Sequence, residues 1–329
     1  QESLIIRYAH QINNGDMPYI DSPFKKPEIW KDGADCLFLD SDESTQEQLR
    51  YIAKIKKYHE MKTAERHNGL DSNLYEFRVN QPLMPYETEL TIPKKFQHVD
   101  LEEILKAPTK VDELLAVLKK VHPWSALYYG LSATHVVKKL YLEWIPKYFG
   151  SNLEIQIITP MTRGSLGTIN LNKMIQESAN PPQTGKSQLQ VGERIFRVGD
   201  RVIHRRNNYD LGVFNGDIGV IREIDNEALT CVVSFFPDHR IVEYNRDDIP
   251  ELDLSYAITI HKSQGSEFGA VIIPVLTQHF KMLFRNLIYT GLTRARKLAV
   301  LVGTRKALAM AVKNQDTSQR QTYLKELLQ

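Results

Sequence analysis

The sequence predicts an α/β fold interrupted by a small β-barrel. Two observations lead there. Apolar, strand-like runs alternate with helical patterns at both ends of the chain, as in a parallel sheet with crossover helices. Between about 190 and 250 the helical spacing gives way to four or five short β-rich runs separated by turn signals.

Taken in order, Leu4 to Ile12 spaces apolar residues helically, and Asn13-Asn-Gly15 ends that helix. Met17 to Asp35 is a Pro-rich loop, and Cys36-Leu-Phe-Leu39 reads as a short buried strand. Asp42-Glu-Ser-Thr opens a helix to about Tyr58. From about 59 to 130 there are scattered prolines, a tyrosine-rich stretch and an amphipathic helix from Lys110 to Val121, with no motif. Ser132-Ala-Thr134 opens a helix ending near Tyr148-Phe-Gly150, and Ile155 to Ile158 is a strand leading into Thr159-Pro-Met-Thr-Arg-Gly164. A helix follows from Gly167 to Glu177.

The β-rich runs are Arg201 to His204, Asp217 to Arg222, Thr230 to Phe235 and Arg240 to Tyr244. Turn signals stand at Asn207-Asn208, Asn215-Gly216, Asp225-Asn226 and Pro237-Asp238. The α/β pattern then resumes with a helix through Thr259, a strand from Ala270 to Val275 and a helix through Arg285. A strand from Leu298 to Val302 and a final helix pair close the chain.

The 329 residues suffice for two or three domains. A net charge of +2 excludes a polycation, so any nucleic-acid binding must rest on local arrangement. Cys36 and Cys231 form neither a metal pattern nor a disulfide framework, which fits a reducing cytoplasm. No apolar stretch approaches the ~20 residues that span a bilayer, and no signal peptide is visible. The chain opens on Gln1 and enters a helical pattern at once, so it is expected to be part of a longer protein.

Two segments carry the chemistry: Tyr256-Ala-Ile-Thr-Ile-His-Lys-Ser-Gln-Gly-Ser-Glu-Phe268 and Leu287-Ile-Tyr-Thr-Gly-Leu-Thr-Arg-Ala-Arg296. Arg294 and Arg296 stand between two apolar runs. A guanidinium at the edge of a buried sheet is costly unless an anion meets it, and a nucleotide γ-phosphate is the obvious anion. A surface salt bridge at a helix start is the alternative. Thr184-Gly-Lys-Ser187 imitates the end of a phosphate-binding loop, but Asn180 stands where that loop needs glycine. With no phosphate loop and no metal-binding carboxylate strand, nucleotide chemistry would have to be completed elsewhere. No clustered Asp, Glu and Lys resembles a two-metal nuclease centre.

These segments resemble motifs V and VI of superfamily 1 helicases, with the nearer likeness to RecD, the α subunit of exodeoxyribonuclease V, and the RecD/TraA group. The resemblance covers Glu2 to about Asn13, Ile155 to Gln176, Glu193 to Val220, and Leu254 to the C-terminus. It implies a second RecA-like, P-loop-NTPase-type domain without its own phosphate loop. Residues 1–58, 131–189 and 251–329 would form it, with an SH3-like barrel inserted at 190–250 and an atypical insertion at 59–130. It further implies the C-terminal motor half of an ATP-dependent 5′–3′ DNA helicase in recombinational repair. ATP and Mg²⁺ would be held mainly by an N-terminal RecA-like domain before Gln1. Single-stranded DNA, that N-terminal domain and other exodeoxyribonuclease V subunits are the implied partners, and no membrane is.

Residue by residue, the resemblance makes Arg294 the arginine that reaches the γ-phosphate, with Arg296 as a second candidate. Gln264, Gly265 and Glu267 would approach the nucleotide; a helix C-cap is the alternative for Gly265. Thr259, His261 and Lys262, on the motif V helix, would meet the DNA backbone. At Thr159-Pro-Met-Thr-Arg-Gly164, with Gly167 and Asn170, a strand-to-helix junction would offer amide groups and a hydroxyl to phosphate. There Thr159 is the first DNA contact and Arg163 a second, an ordinary β–α turn being the alternative. In the barrel, Arg194, Arg197, Arg201, His204, Arg205 and Arg206 precede Tyr209, a basic run with an aromatic that suits a single strand. Here Arg205, Arg206 and Tyr209 are the candidates, against a solvated basic face. A non-catalytic DNA- or protein-docking module on the same fold is the competing reading of the whole chain.

Overall fold

The computed structural model describes residues 3–23, 33–40 and 133–315, together with Ile29 and Lys106. The expected helix from Asp42, the 59–130 insertion with its Lys110–Val121 helix, and the second of the final helices lie outside the described residues.

A parallel sheet organises the chain. Its strands are β1 (Cys36–Asp40), β2 (Ile155–Thr159), β10 (Ala257–Thr259), β11 (Phe268–Val275) and β12 (Ala295–Gly303), in the order β1-β12-β11-β2-β10. Every neighbouring pair is parallel. Alternation assigns each strand's side chains to two cores. Val271, Ile273, Val275, Ala299 and Leu301 face one cluster; Ala270, Ile272, Leu298, Val300 and Val302 face the other. That double burial is why these strands read as continuous apolar runs.

Helices cover both faces. On the first lie α1 (Leu4–Asn14), α5 (Arg285–Leu292) and α6 (Arg305–Lys313). Ser3 caps α1, Gly15 ends it at φ 89°, and Ile5, Tyr8, Ala9 and Ile12 form its buried stripe. On the second face lie α2 (Ala133–Lys139), a π-helical turn (Leu140–Trp144), α3 (Ile145–Phe149) and α4 (Thr168–Ala179).

Between α4 and β10 the chain builds an antiparallel unit. A hairpin pairs β3 (Gln188–Val191) with β4 (Arg194–Arg197). A five-stranded sheet follows, made of β5 (Arg201–His204), β6 (Ile218–Asp225), β7 (Thr230–Phe235), β8 (Arg240–Tyr244) and β9 (Leu252–Leu254). Its order is β8-β7-β6-β5-β9, and it encloses a core of its own around Phe196, Val233, Phe235 and Tyr244. The buried Asp200 joins this unit to the rest. Its carboxylate accepts from Gln176 (2.6 Å) and Asn180 (2.7 Å) at the end of α4, from the Arg197 amide (2.7 Å) and from the Tyr256 hydroxyl (2.8 Å).

Two expectations need correction. The segment through Thr259 is not a helix: Ala257–Thr259 is a strand on β2, and only a short 3₁₀ turn, His261–Ser263, follows. Three residues paired to a neighbouring strand leave no period to read. The antiparallel unit also holds strands that sequence reading missed, the β3–β4 hairpin and β9, the latter fixed by pairing Val202 with Leu254.

His279 lies 2% exposed in the 3₁₀ segment Thr277–Met282, and burial pushes its pKa down to about 4. It therefore stays neutral in the fold where the unfolded chain protonates near ~6.5. The stability this contributes is complete above that value and is lost as pH falls toward about 4. Denaturant titrations at pH 7.5 and pH 5 should show a loss that His279→Gln reduces by an amount on the order of 2 kcal/mol. An equal loss in the variant would contradict this.

Candidate functional site

Register places the predicted residues at opposite ends of one sheet. Thr159 and Thr259 are paired neighbours that end β2 and β10, and so mark the carboxyl edge. Phe268 and Ala295 pair where β11 and β12 begin, at the amino edge. Since Ala270 aligns with Ile155, the two edges lie roughly 20 Å apart at ~3.3 Å per residue. Residues 260–267 make that crossing, so one segment touches both edges.

At the amino edge the two motif segments meet. Ser263 O accepts from the Ser266 amide at 3.1 Å, around Gln264 at φ −59°, ψ 133° and Gly265 at φ +83°. This is a type II turn, whose third position requires positive φ, and it replaces the helix C-cap as the reason for Gly265. A side chain there would meet nothing within 4 Å, so backbone conformation rather than crowding demands glycine, and the turn is open to approach. Gln264, Gly265 and Glu267 are exposed. The half-buried Arg294 donates to Ser266 O at 3.1 Å, to Thr290 O at 3.2 Å and to Thr293 Oγ1 at 3.2 Å. Its own carbonyl accepts from the Phe268 amide at 2.8 Å. All three acceptors are neutral, and among the described residues no carboxylate forms an ion pair with Arg294. The guanidinium is thus oriented but not neutralised. Arg296 is exposed and only 3.9 Å from Glu154 Oε2, a weak surface pair.

The carboxyl edge departs from expectation. Thr159 is fully buried and donates its hydroxyl to Leu166 O at 2.7 Å, so it shapes the following loop and presents no side chain to a DNA phosphate. The amides at the start of α4 are also occupied: Gly167 donates to Gly164 O (3.1 Å), Thr168 to Met161 O (3.0 Å) and Ile169 to Thr162 O (3.2 Å). The loop folds so tightly that a Cβ at Gly167 would lie 2.5 Å from the Arg163 backbone. Of the predicted contacts there, Arg163 and Asn170 are exposed, the latter donating to Ser165 O at 2.7 Å. Beside them Thr259 is half-buried, while His261 and Lys262 are exposed on the 3₁₀ turn.

The basic run of the antiparallel unit is partly neutralised from within, one aspartate serving three cations, while the Arg205 and Arg206 side chains stay 50% and 71% exposed. Asp253 lies 2.8 Å from Arg194, 3.3 Å from Arg205 and 3.9 Å from Lys262. Glu251 pairs with Arg206, accepts from Asn208 at 3.0 Å and lies 3.1 Å from His204. Arg201 is tied to Glu154 at 2.7 Å, and the buried Arg197 donates to Asn180 O at 3.1 Å. Burial pushes the Glu251 carboxyl up, but the Asn208 and Arg206 hydrogen bonds outweigh it and hold the group below its ordinary pKa. Burial pushes His204 down, and the Glu251 charge opposes without reversing this.

Glu251 therefore anchors the start of the 205–216 loop, whose Arg205 amide also donates to Glu251 O at 2.8 Å. That loop carries Tyr209, 78% exposed, and Phe214, 46% exposed, as an edge-to-face pair with centroids 6.1 Å apart. Sequence reading missed Phe214; its place beside Asn215-Gly216 in a β5–β6 turn was the available signal. Arg205 and Lys262 share Asp253, and the loop lies close to the 3₁₀ turn: a Cβ added at Gly216 would come within 4.0 Å of the Lys262 carbonyl.

The Thr184–Ser187 segment lines a shallow cleft of about 610 Å³ with Arg222 and Glu223. Its Lys186 ammonium is bound to Asn180, and a strand rather than a helix follows it. Among the described residues no group of three or more His, Cys, Asp or Glu could hold a metal ion, and no helix is long and apolar enough to cross a membrane.

The family described as the ATP-dependent RecD-like DNA helicase SH3 domain matches residues 171–235, and the UvrD-like helicase C-terminal domain matches residues 254–302. The ATP-dependent RecD2 DNA helicase of Deinococcus radiodurans is 35% identical over 173 residues, covering 53% of this chain and 23% of that protein. The RecBCD enzyme subunit RecD of Haemophilus influenzae is 30% identical over 189 residues, covering 57% of this chain and 27% of that protein. The chain thus spans about a quarter of the length of these relatives. Among solved structures, the Pif1 helicase from Bacteroides in complex with ADP-AlF3 and ssDNA aligns at 19% identity. That alignment covers 54% of this chain and 47% of that one, with a TM-score of 0.36.

Proposed function

We propose that this chain, which belongs to the RecD-type superfamily 1 helicases and corresponds to their C-terminal part, is the second motor domain of an ATP-dependent 5′–3′ DNA helicase. One observation carries the reading: Arg294 is held at the amino edge against the Gln264–Glu267 turn by neutral acceptors alone. An oriented, unneutralised guanidinium beside an open turn suits the γ-phosphate of ATP. It would stabilise the charge that develops as the phosphoryl group transfers. A first RecA-like domain would hold the metal and most of the nucleotide.

Single-stranded DNA would lie along the carboxyl edge. His261, Lys262 and Arg163, with Arg205 and Arg206, would follow its phosphates, while Tyr209 and Phe214 would stack on bases. The antiparallel unit would be the SH3-like barrel beside this path. Other exodeoxyribonuclease V subunits are the proposed protein partners, and recombinational repair the setting.

In the full-length protein, ATP hydrolysis should rise on adding single-stranded DNA, and a duplex with a 5′ tail should be opened in preference to one with a 3′ tail. Absence of DNA-dependent hydrolysis would leave the docking-module reading in its place.

A further inference from the structure

The antiparallel unit touches both edges of the parallel sheet, through the two ends of one short strand. Just past its end, Arg205 shares Asp253 with Lys262 of the carboxyl-edge turn. At its start, Arg201 is 11% exposed and reaches the amino edge, where its Nη2 lies 2.7 Å from Glu154 Oε1. The other Glu154 oxygen is the one 3.9 Å from Arg296. The Arg201 guanidinium also packs over Phe236, 5.7 Å from the ring centroid, and over Phe268 at 6.0 Å. Phe268 directly follows the Gln264–Glu267 turn, and its amide holds the Arg294 carbonyl. The Arg201 Nε is buried without a hydrogen-bond partner among the described residues, so Glu154 and the two rings fix this guanidinium. Strand β5 spans only four residues and is paired on both sides, by β6 and β9, which makes it a stiff connector.

We propose that Arg201 and Glu154 are positioning residues that couple DNA engagement at the carboxyl edge to the arginines at the amino edge. A strand of DNA pressing on Arg205, Lys262 and the aromatic loop shifts β5 as a unit. Arg201 then moves against Phe268 and redistributes Glu154 between itself and Arg296. Neither residue touches DNA or nucleotide in this scheme; both act through Phe268, Arg294 and Arg296. The inference rests on the motor reading above.

Glu154→Gln and Arg201→Gln in the full-length protein separate this role from a structural one. The rate without DNA and the Kd for oligothymidylate should stay within about twofold of wild type, while the stimulation by DNA falls by about fivefold or more. Stimulation that survives in Glu154→Gln overturns the proposal, as does a parallel fall of basal and stimulated rates. Because the Glu154 side chain is 32% exposed, its isosteric variant keeps the test open even where Arg201→Gln misfolds. A wild-type protein with no DNA stimulation overturns the motor reading along with this one, whereas loss confined to the two variants supports both.

Discussion

Replacing Arg294 by alanine should reduce ATP turnover by the full-length protein about 10³-fold or more while leaving ATP affinity within an order of magnitude. The asymmetry follows from where the charge appears. On the proposed reading the ground-state nucleotide would be held mainly by groups outside the described residues, so one guanidinium would add little to binding. In the transition state, charge gathers on the transferring phosphoryl group, and an oriented guanidinium is worth most there. Arg294 suits that task because Ser266 O, Thr290 O and Thr293 Oγ1 fix its direction without cancelling its charge. Arg296→Ala should do far less, since that side chain is 57% exposed and loosely paired. Comparable losses in both variants would place Arg296 at the phosphate alongside Arg294.

The second large effect is expected at the aromatic loop. Tyr209→Ala combined with Phe214→Ala should weaken binding of oligothymidylate by roughly tenfold or more at fixed salt. Both rings are exposed and pack chiefly on each other, so the melting temperature should hardly move. A merely solvated pair would leave Kd unchanged. Fluorescence anisotropy measured across a salt series checks the accompanying electrostatic share, because phosphate contacts by Arg205, Arg206 and Lys262 would make affinity fall as salt rises.

Much of the fold could be read from local pattern, and the failures share a cause. Strands β11 and β12 were visible because burial on both faces demands an unbroken apolar run. Helix α1 was visible because its apolar stripe and Gly15 obey helical spacing and capping. Strand β9 was not, since three residues acquire strand character only by pairing with Val202 and its neighbours. The same limit governs the site. The approach of Arg294 to the Gly265 turn follows from pairing of two apolar strands and was inferable. The neutralisation of the basic run was not: the acids that meet Arg194 and Arg206 lie 59 and 45 residues away in the chain. Thr159 has the residue type and position of a phosphate contact, and only the fold turns its hydroxyl inward to Leu166. Charge in a sequence is local, whereas its compensation is tertiary.

Single-turnover hydrolysis, with the full-length protein in excess over ATP and saturated with single-stranded DNA, isolates the chemical step. The expected result is that Arg294→Ala captures the nucleotide but cleaves it about 10³-fold or more slowly than wild type. Cleavage within about tenfold of wild type would contradict the role assigned to this arginine, and with it the motor reading of the amino edge.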